Sequence, residues 1–357
     1  MQQQKRVLFT VLDWGLGHAT RSIPVIEAFL QRGYDVQLAG EGNSLLLLKN
    51  HFPNLKAHDL FGIQVRFTDS SFGIVLMIPK LLQSIKKEHQ QFLALCDKLK
   101  PDLIISDNRY GAWHPTIQSI FIGHQVYLQA PSRFTKWIEP ILFHFHSKFL
   151  KRFSKVWIPD TADQNNLSGI LAHHPSITQR LNCEFIGPLS RFKISDNLPT
   201  ENNYEVVVLI SGPEPQRSIF QEACLNEAMR INKKTLILLG QPNKSEQITK
   251  GSITLVSHLP KNELSPIIQS AKYVVCRSGY STLMDLAKLN KTALCIPTPG
   301  QTEQLYLAKH LSNQHKIIFQ EQHQMNWEKG FQELSDVEQL SFSSDDLLNQ
   351  VITKLPC

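Results

Sequence analysis

Val274-Val275-Cys276-Arg277-Ser278-Gly279-Tyr280-Ser281-Thr282-Leu283-Met284-Asp285 reads as a buried strand, a sharp turn through glycine and the opening of a helix. That succession is the repeating unit of an α/β domain. Ser278 or Ser281 can cap the helix, whose first N–H groups and positive dipole end make a place for an anion such as a diphosphate. Asp285 follows Ser281 by one turn on the same side, at a depth where a carboxylate can accept hydrogen bonds from two ribose hydroxyls. A plain strand-to-helix turn with a solvated aspartate explains the stretch equally well if it is taken alone. Its neighbours decide the matter.

Working outward, Ile210-Ser211-Gly212-Pro213-Glu214-Pro215-Gln216-Arg217 is a second small-residue loop between a strand and a helix, where backbone amides and Arg217 can face phosphate. Pro297-Thr298-Pro299-Gly300-Gln301-Thr302-Glu303-Gln304 is a third, with acceptor and amide groups suited to sugar hydroxyls. Strands are predicted at Val206 to Ile210, Thr235 to Leu239, Thr254 to Val256, Tyr273 to Cys276 and Ala293 to Ile296, with helices between them. The same alternation runs earlier: strands at Val7 to Leu12, Val36 to Ala39, Leu103 to Ser106, Ile120 to Ile122 and Val156 to Ile158, helices at Ala19 to Arg32 and Lys80 to Leu99. Such alternation implies parallel sheets with right-handed crossovers. Residues 1–190 are read as one doubly wound domain, the polar stretch 191–204 as a linker, 205–335 as a second domain and 336–357 as carrying a last helix. The expected fold is α/β, two Rossmann-like domains facing across a cleft, with ligands at the carboxyl ends of strands.

The stretch Leu255 to Leu311, with CRSGYSTLMD and IPTPGQTEQLYLAKHL, resembles the C-terminal domain of glycosyltransferase family 28, which includes the MurG-type transferase. The resemblance is specific over Ser211 to Leu311 and looser elsewhere. It implies a GT-B fold, inverting transfer from a nucleotide diphosphate sugar and no metal or other cofactor. By position, Asp285 matches the ribose-binding acid, Glu303 and Gln304 the pair that reads the sugar, and Ser211 and Gly212 the phosphate-side loop. Arg277 and Ser278 match the turn below the diphosphate, with Gly279, Ser281 and Thr282 opening the helix, while Ser257, His258 and Leu259 fall near the base-reading segment. Two departures stand out: SGPEPQR replaces a Gly-Gly-Ser-Gln-Gly type loop, and Glu-Gln replaces Gln-Gln.

In the N-terminal half, Asp13-Trp14-Gly15-Leu16-Gly17-His18-Ala19-Thr20-Arg21 resembles the glycine-rich loop ending in histidine of the same family. Gly15 and Gly17 let the backbone turn tightly and approach a ligand, and His18 at the helix mouth is the expected general base. A dinucleotide-binding reading of Gly15-x-Gly17-x-x-Thr20 lacks the third glycine and leaves the C-terminal site without a use. Ser106-Asp107-Asn108-Arg109 and Gly123-His124-Gln125, at other strand ends, are acceptor-side candidates, and Asp107 or His124 is the alternative base. No Asp-x-Asp motif is present for a divalent metal, so the departing diphosphate is assigned to helix N-termini with Arg277 or Arg217.

Length, a hydrophobic content of 42% and dispersed Gly and Pro describe a globular chain. The short apolar start predicts no signal peptide, and hence a cytoplasmic protein. Six scattered cysteines without a CxxC pair suggest reduced thiols. Between Arg133 and Lys155 six basic residues stand against one acid, Glu139, so this segment holds +5 of the chain's +6. Interleaved aromatics suit an anionic membrane surface, as does an apolar loop expected at Phe72 to Pro79; nucleic acid is not an expected partner. The expected activity moves a hexose or N-acetylhexosamine from a nucleotide-sugar donor, a UDP-sugar, to a lipid-linked or glycan acceptor at the inner face of the plasma membrane. A nucleotide-sugar 2-epimerase of the same fold and a non-catalytic sugar-nucleotide-binding module are the competing readings.

Overall fold

The computed structural model describes residues 4–62, 71–129, 133–195, 204–241, 244–340 and 346–355, without the side chains of 71–78, 133–135 and 178. The chain forms two compact units, one of Met1–Leu189 with Ser344–Cys357 and one of Ser190–Ser343. In the first unit the order is β1 (Arg6–Val11), α1 (Leu16–Gln31), β2 (Asp35–Gly40), α2 (Gly42–His51), β3 (Ala57–Asp59), α3 (Ser71–Leu99), β4 (Leu103–Asp107) and β5 (Gln118–Ile122). A 3₁₀ turn (Arg133–Ile138), α4 (Glu139–Leu150), β6 (Lys155–Ile158), α5 (Ile170–His173), α6 (Pro175–Arg180) and β7 (Cys183–Phe185) follow. All seven strands are parallel, in the order β3-β2-β1-β4-β5-β6-β7. Strands covered on both faces need near-continuous apolar runs, and β1 and β4 are buried accordingly.

The second unit runs β8 (Val206–Leu209), α7 (Gln216–Ile231), β9 (Thr235–Leu238), β10 (Gln247–Lys250), β11 (Ile253–Val256), α8 (Lys261–Ser270) and β12 (Tyr273–Cys276). It continues through α9 (Tyr280–Lys288), β13 (Leu294–Cys295), α10 (Thr302–Asn313), β14 (Ile318–Phe319) and α11 (Trp327–Glu333). Its sheet order is β10-β11-β9-β8-β12-β13-β14, parallel except for the antiparallel edge pair β10–β11. Val206, Val208, Phe220, Ile237, Val275 and Trp327 belong to its core cluster. The last helix, α12 (Leu347–Thr353), packs in the first unit, where Arg32, just after α1, donates to Asn349 Oδ1 at 2.7 Å.

Both strand orders reverse once, and the reversal places the sites. In the first sheet it falls between β1 and β4, in the second between β8 and β12. Open α/β sheets bind ligands where the crossovers part at such a point. Register brings Val11 beside Asp107 and Leu209 beside Cys276, so the loops after each pair leave side by side. Phe72 to Pro79, expected as an apolar loop, instead belongs to α3; its side chains up to residue 78 lie outside the described residues. Of the stretch read as a linker, 196–203 lie outside them as well. Ser190 to Ser195 pack on α8, where Ser265 Oγ donates to Lys193 O at 2.8 Å and Ser195 N to Gln269 Oε1 at 2.9 Å.

Candidate active site

In the first unit β1 leads through Gly15, at φ 113°, into α1, whose N-terminus has no side-chain cap. His18 in its first turn places Nδ1 2.7 Å from Asp107 Oδ1 at the end of β4. Arg21, one turn on, grips the same carboxylate with Nε on Oδ2 at 2.8 Å and Nη2 on Oδ1 at 2.5 Å, and Ser22 Oγ adds a donor to Oδ2 at 3.2 Å. Burial alone would raise the Asp107 pKa, but the Arg21 charge, then His18 and the hydrogen bonds, hold it at about 2. Arg21 Nη2, a donor only, also lies 2.9 Å from the same Nδ1, but the shorter contact with the ionised carboxylate favours the tautomer with its proton on Nδ1 and its lone pair on Nε2. None of the described residues is bonded to that Nε2, and the ring keeps 16% exposure. Burial first, and the Arg21 charge second, hold the His18 pKa below its ordinary value. The result is a neutral imidazole, oriented from behind, with a basic nitrogen to the front.

The other acceptor-side candidates divide. Asp107 is wholly buried and held by three residues, which suits orienting a base and argues against acting as one. His124, after β5, joins the cluster through Nδ1, 3.2 Å from Arg21 Nη1. Asn108 stands at the end of β4 in the left-handed conformation, φ 57°. Arg109 requires a correction. It is fully buried, with Nε on Glu88 Oε1 at 2.7 Å and its remaining nitrogens on the carbonyls of Val11, Leu60 and Phe61, so it braces strand ends and cannot meet an acceptor.

In the second unit the two helix mouths differ. At α7 the Glu214 carboxylate folds onto the first turn: Oε2 accepts from Ser218 N at 3.2 Å and Ser218 Oγ at 2.8 Å, and Oε1 from Arg217 Nη2 at 2.7 Å. That mouth holds an anion of its own, and Arg217, assigned to phosphate, is engaged by it. Ser211 and Gly212 are exposed in the loop just before. At α9 the N-cap is Gly279 and no side chain caps the helix, so neither Ser278 nor Ser281 plays the capping part expected of it. Ser278 is buried and donates to Gln304 O at 2.8 Å, tying the turn to α10. Ser281 and Thr282 are half-buried in the first turn. A Cβ on Gly279 would meet nothing within 4 Å.

Two donor-side side chains, Arg277 and Gln304, have their polar groups engaged within the protein. Arg277 is 1% exposed, with Nη1 on Ile296 O at 3.0 Å, Nη2 on Gln322 Oε1 at 2.7 Å and its guanidinium 3.8 Å from the Phe220 ring centroid. Burial pushes its pKa down to about 10. Buried and bonded through both Nη atoms, it lies beneath the α9 turn and is not open to a ligand. Gln304 spends its side chain on its own loop, accepting from Thr298 N at 2.9 Å and donating to Gln301 Oε1 at 2.5 Å. Glu303 is half-buried in the first turn of α10. Asp285 accepts from Ser190 Oγ at 2.6 Å and lies 3.8 Å from Arg191 Nε, so part of its capacity goes to the entering chain. Burial raises its pKa against the pull of Arg191. His258 is exposed after β11, and its pKa is lowered by burial first and then by the Arg191 charge. Arg191 thus stands beside Asp285 and its charge bears on His258, and nothing in the sequence pattern singled it out. Arg21 and Thr298 were missed too; Thr298 Oγ1 is buried without a partner among the described residues, 3.9 Å from where a Cβ on Gly212 would stand.

The two doubly wound sheets are those of a GT-B fold. The chain matches the sequence model of glycosyl transferase family 1 over residues 5–331 and belongs to that family. An uncharacterized glycosyltransferase of Methanosarcina mazei is 22% identical over 323 residues, 84% of this chain and 81% of that one. One from Methanosarcina acetivorans is 24% identical over 330 residues, again 84% and 81%. Among solved structures the fold is shared with the glycotransferase of kitacinnamycin (TM-score 0.65, 12% identity, 98% and 94% covered). It is also shared with MurG of Acinetobacter baumannii (0.59, 13%, 98% and 98%) and with the spinosyn rhamnosyltransferase SpnG complexed with thymidine diphosphate (0.57, 13%, 98% and 91%).

Proposed function

We propose that this glycosyltransferase works by inverting, metal-independent transfer of a hexose or N-acetylhexosamine from a UDP-sugar to a lipid-linked or glycan acceptor, as a peripheral protein of the cytoplasmic membrane face. The observation that carries the reading is the His18–Asp107 pair at 2.7 Å, which supports Nε2 of His18 as the base. In the proposed step Nε2 takes the acceptor hydroxyl proton while that oxygen bonds to C1 of the sugar. The bond from C1 to the diphosphate oxygen breaks, and the nucleoside diphosphate leaves with the electron pair. A single displacement inverts C1. Asp107 steadies the imidazolium that forms. The N-terminal dipole end of α9, which carries no side-chain cap, suits the charge on the departing phosphate without a bridging cation. Thymidine diphosphate in the related SpnG structure supports a nucleoside diphosphate as ligand, and the resemblance to family 28 supports uridine.

Thermal unfolding with UDP in the presence of EDTA, followed by nuclear magnetic resonance of the product anomer, tests the reading. UDP at 100 times its Kd should stabilise the fold by about 2.7 kcal/mol, and an α-linked donor should give a β-linked product. A strict magnesium or manganese requirement for UDP binding, retention at C1, or release of an epimerised sugar nucleotide would overturn it.

A further inference from the structure

Helix α4 is apolar on two faces, and the core accounts for only one. Phe143 and Leu150 point inward, where they join Phe121, Val126 and Tyr127. On the opposite side Trp137 is 72% exposed, Ile141 47% and Phe145 57%. A spacing of four residues sets these three in a row that runs from the 3₁₀ turn along α4. Single exposed apolar side chains are ordinary, whereas a contiguous row with a polar rim marks a surface that meets something.

The rim is cationic. Lys136, Lys148, Lys151 and Arg152 are exposed along the same segment, and Lys148 Nζ stands 5.3 Å from the Phe145 ring centroid. From α6, Arg180 Nη1 reaches within 3.3 Å of exposed His144 and adds a further cation. Lys155, part of the same basic run in the sequence, pairs with Glu184 at 2.6 Å and does not contribute.

We propose that this face of α4 rests on an anionic phospholipid bilayer, with Trp137, Ile141 and Phe145 in the boundary between headgroups and acyl chains and the four cations on acidic headgroups. Nucleic acid would satisfy the cations but gives an aliphatic residue such as Ile141 nothing to enter; lipid satisfies both. The inference deepens the membrane-face reading above and rests on it. Vesicle binding is measured without turnover, so a failed docking result and a failed transfer result stay separate.

The test uses the full chain with vesicles of phosphatidylglycerol and phosphatidylcholine, and with vesicles of phosphatidylcholine alone. Sedimentation should favour the anionic vesicles and weaken with salt. Lys148→Glu/Lys151→Glu/Arg152→Glu should lower the affinity at least roughly 100-fold, at about fivefold for each cation lost. Trp137→Ser/Ile141→Ser/Phe145→Ser should lower it comparably, and brominated lipid should quench the wild-type fluorescence more than that of Trp137→Phe. A cooperative thermal unfolding transition near that of wild type reports that each variant is folded; where one is not, the salt dependence and the Trp137→Phe comparison decide. Equal or absent binding to the two vesicle types, unchanged binding in either folded triple variant, or a wild-type self-association or RNA complex in place of vesicle binding would overturn the proposal.

Discussion

Asp107 is shared by His18 and Arg21, and the two partners do opposite things to the base. The carboxylate favours the imidazolium while Arg21 opposes it, and burial, the largest influence, also keeps the ring neutral. The His18 pKa therefore lies below 6.5. Because the neutral form is the active one, kcat/KM should stay level down to neutral pH and decline only as pH falls past that value. Asp107→Asn removes the influence that raises the pKa and frees the tautomer. The acid limb should move to lower pH and kcat should drop by roughly 10²–10⁴-fold. A limb that moves upward in a pH–rate profile would refute this. His18→Ala should cause a loss of the same order with UDP affinity unchanged in isothermal titration; an equal loss of affinity would make His18 a donor-binding or structural residue. His18 could be singled out in the sequence because it follows a strand and two glycines. Arg21 could not, since its role comes from the register of β1 against β4, which no local pattern states.

Two helix mouths in the second unit look alike as sequence, a small-residue loop running into a helix, and differ in what fills them. Glu214 occupies that of α7, whereas Gly279 leaves that of α9 without a side-chain cap. Gly279 has φ −72°, open to any residue, and a Cβ there would touch nothing. Folding thus gives little reason for glycine at this position, and close approach of a ligand gives a good one. Gly279→Ala should change stability by no more than about 1 kcal/mol yet weaken UDP binding at least tenfold, read by thermal unfolding and titration on one sample; unchanged affinity would move the diphosphate elsewhere. On α4 the inward His146 is bound through Nδ1 to Val126 O at 2.9 Å and through Nε2 to Tyr110 Oη at 2.8 Å. Burial lowers its pKa to about 4. Below pH 6.5 the unfolded chain takes a proton that the folded one refuses, so this contribution is complete above pH 6.5 and fades as pH falls towards 4. It amounts to roughly 3 kcal/mol. His146→Gln should lose less stability between pH 7 and 4 than wild type in urea unfolding; parallel losses would show that other groups govern acid unfolding.

Across the whole molecule, the elements legible in the sequence were those whose burial writes a pattern. The central strands are covered on both faces and read as apolar runs. β3 has the sequence Ala-His-Asp and β10 is exposed throughout, so neither carries an apolar signal, and β14 spans only Ile318–Phe319. Periodicity also says that a helix has an apolar face without saying which sheet it covers. The final helix shows the difference. Its spacing was readable, but α12 follows the second unit in the chain and packs in the first, through Val351, Ile352 and Leu355 and through Arg32 bonding to Asn349. Ile352 is 1% exposed, so Ile352→Ala should cost about 2–5 kcal/mol. That cost should fall on one unit only, because local unfolding follows cooperative blocks of packing and not chain order. Hydrogen exchange should accelerate in β1 and α1 and stay unchanged in β8 and β12. Faster exchange in the second unit's strands would mean that the helix stabilises the sheet it follows in sequence, and the division into units would have to be redrawn around it.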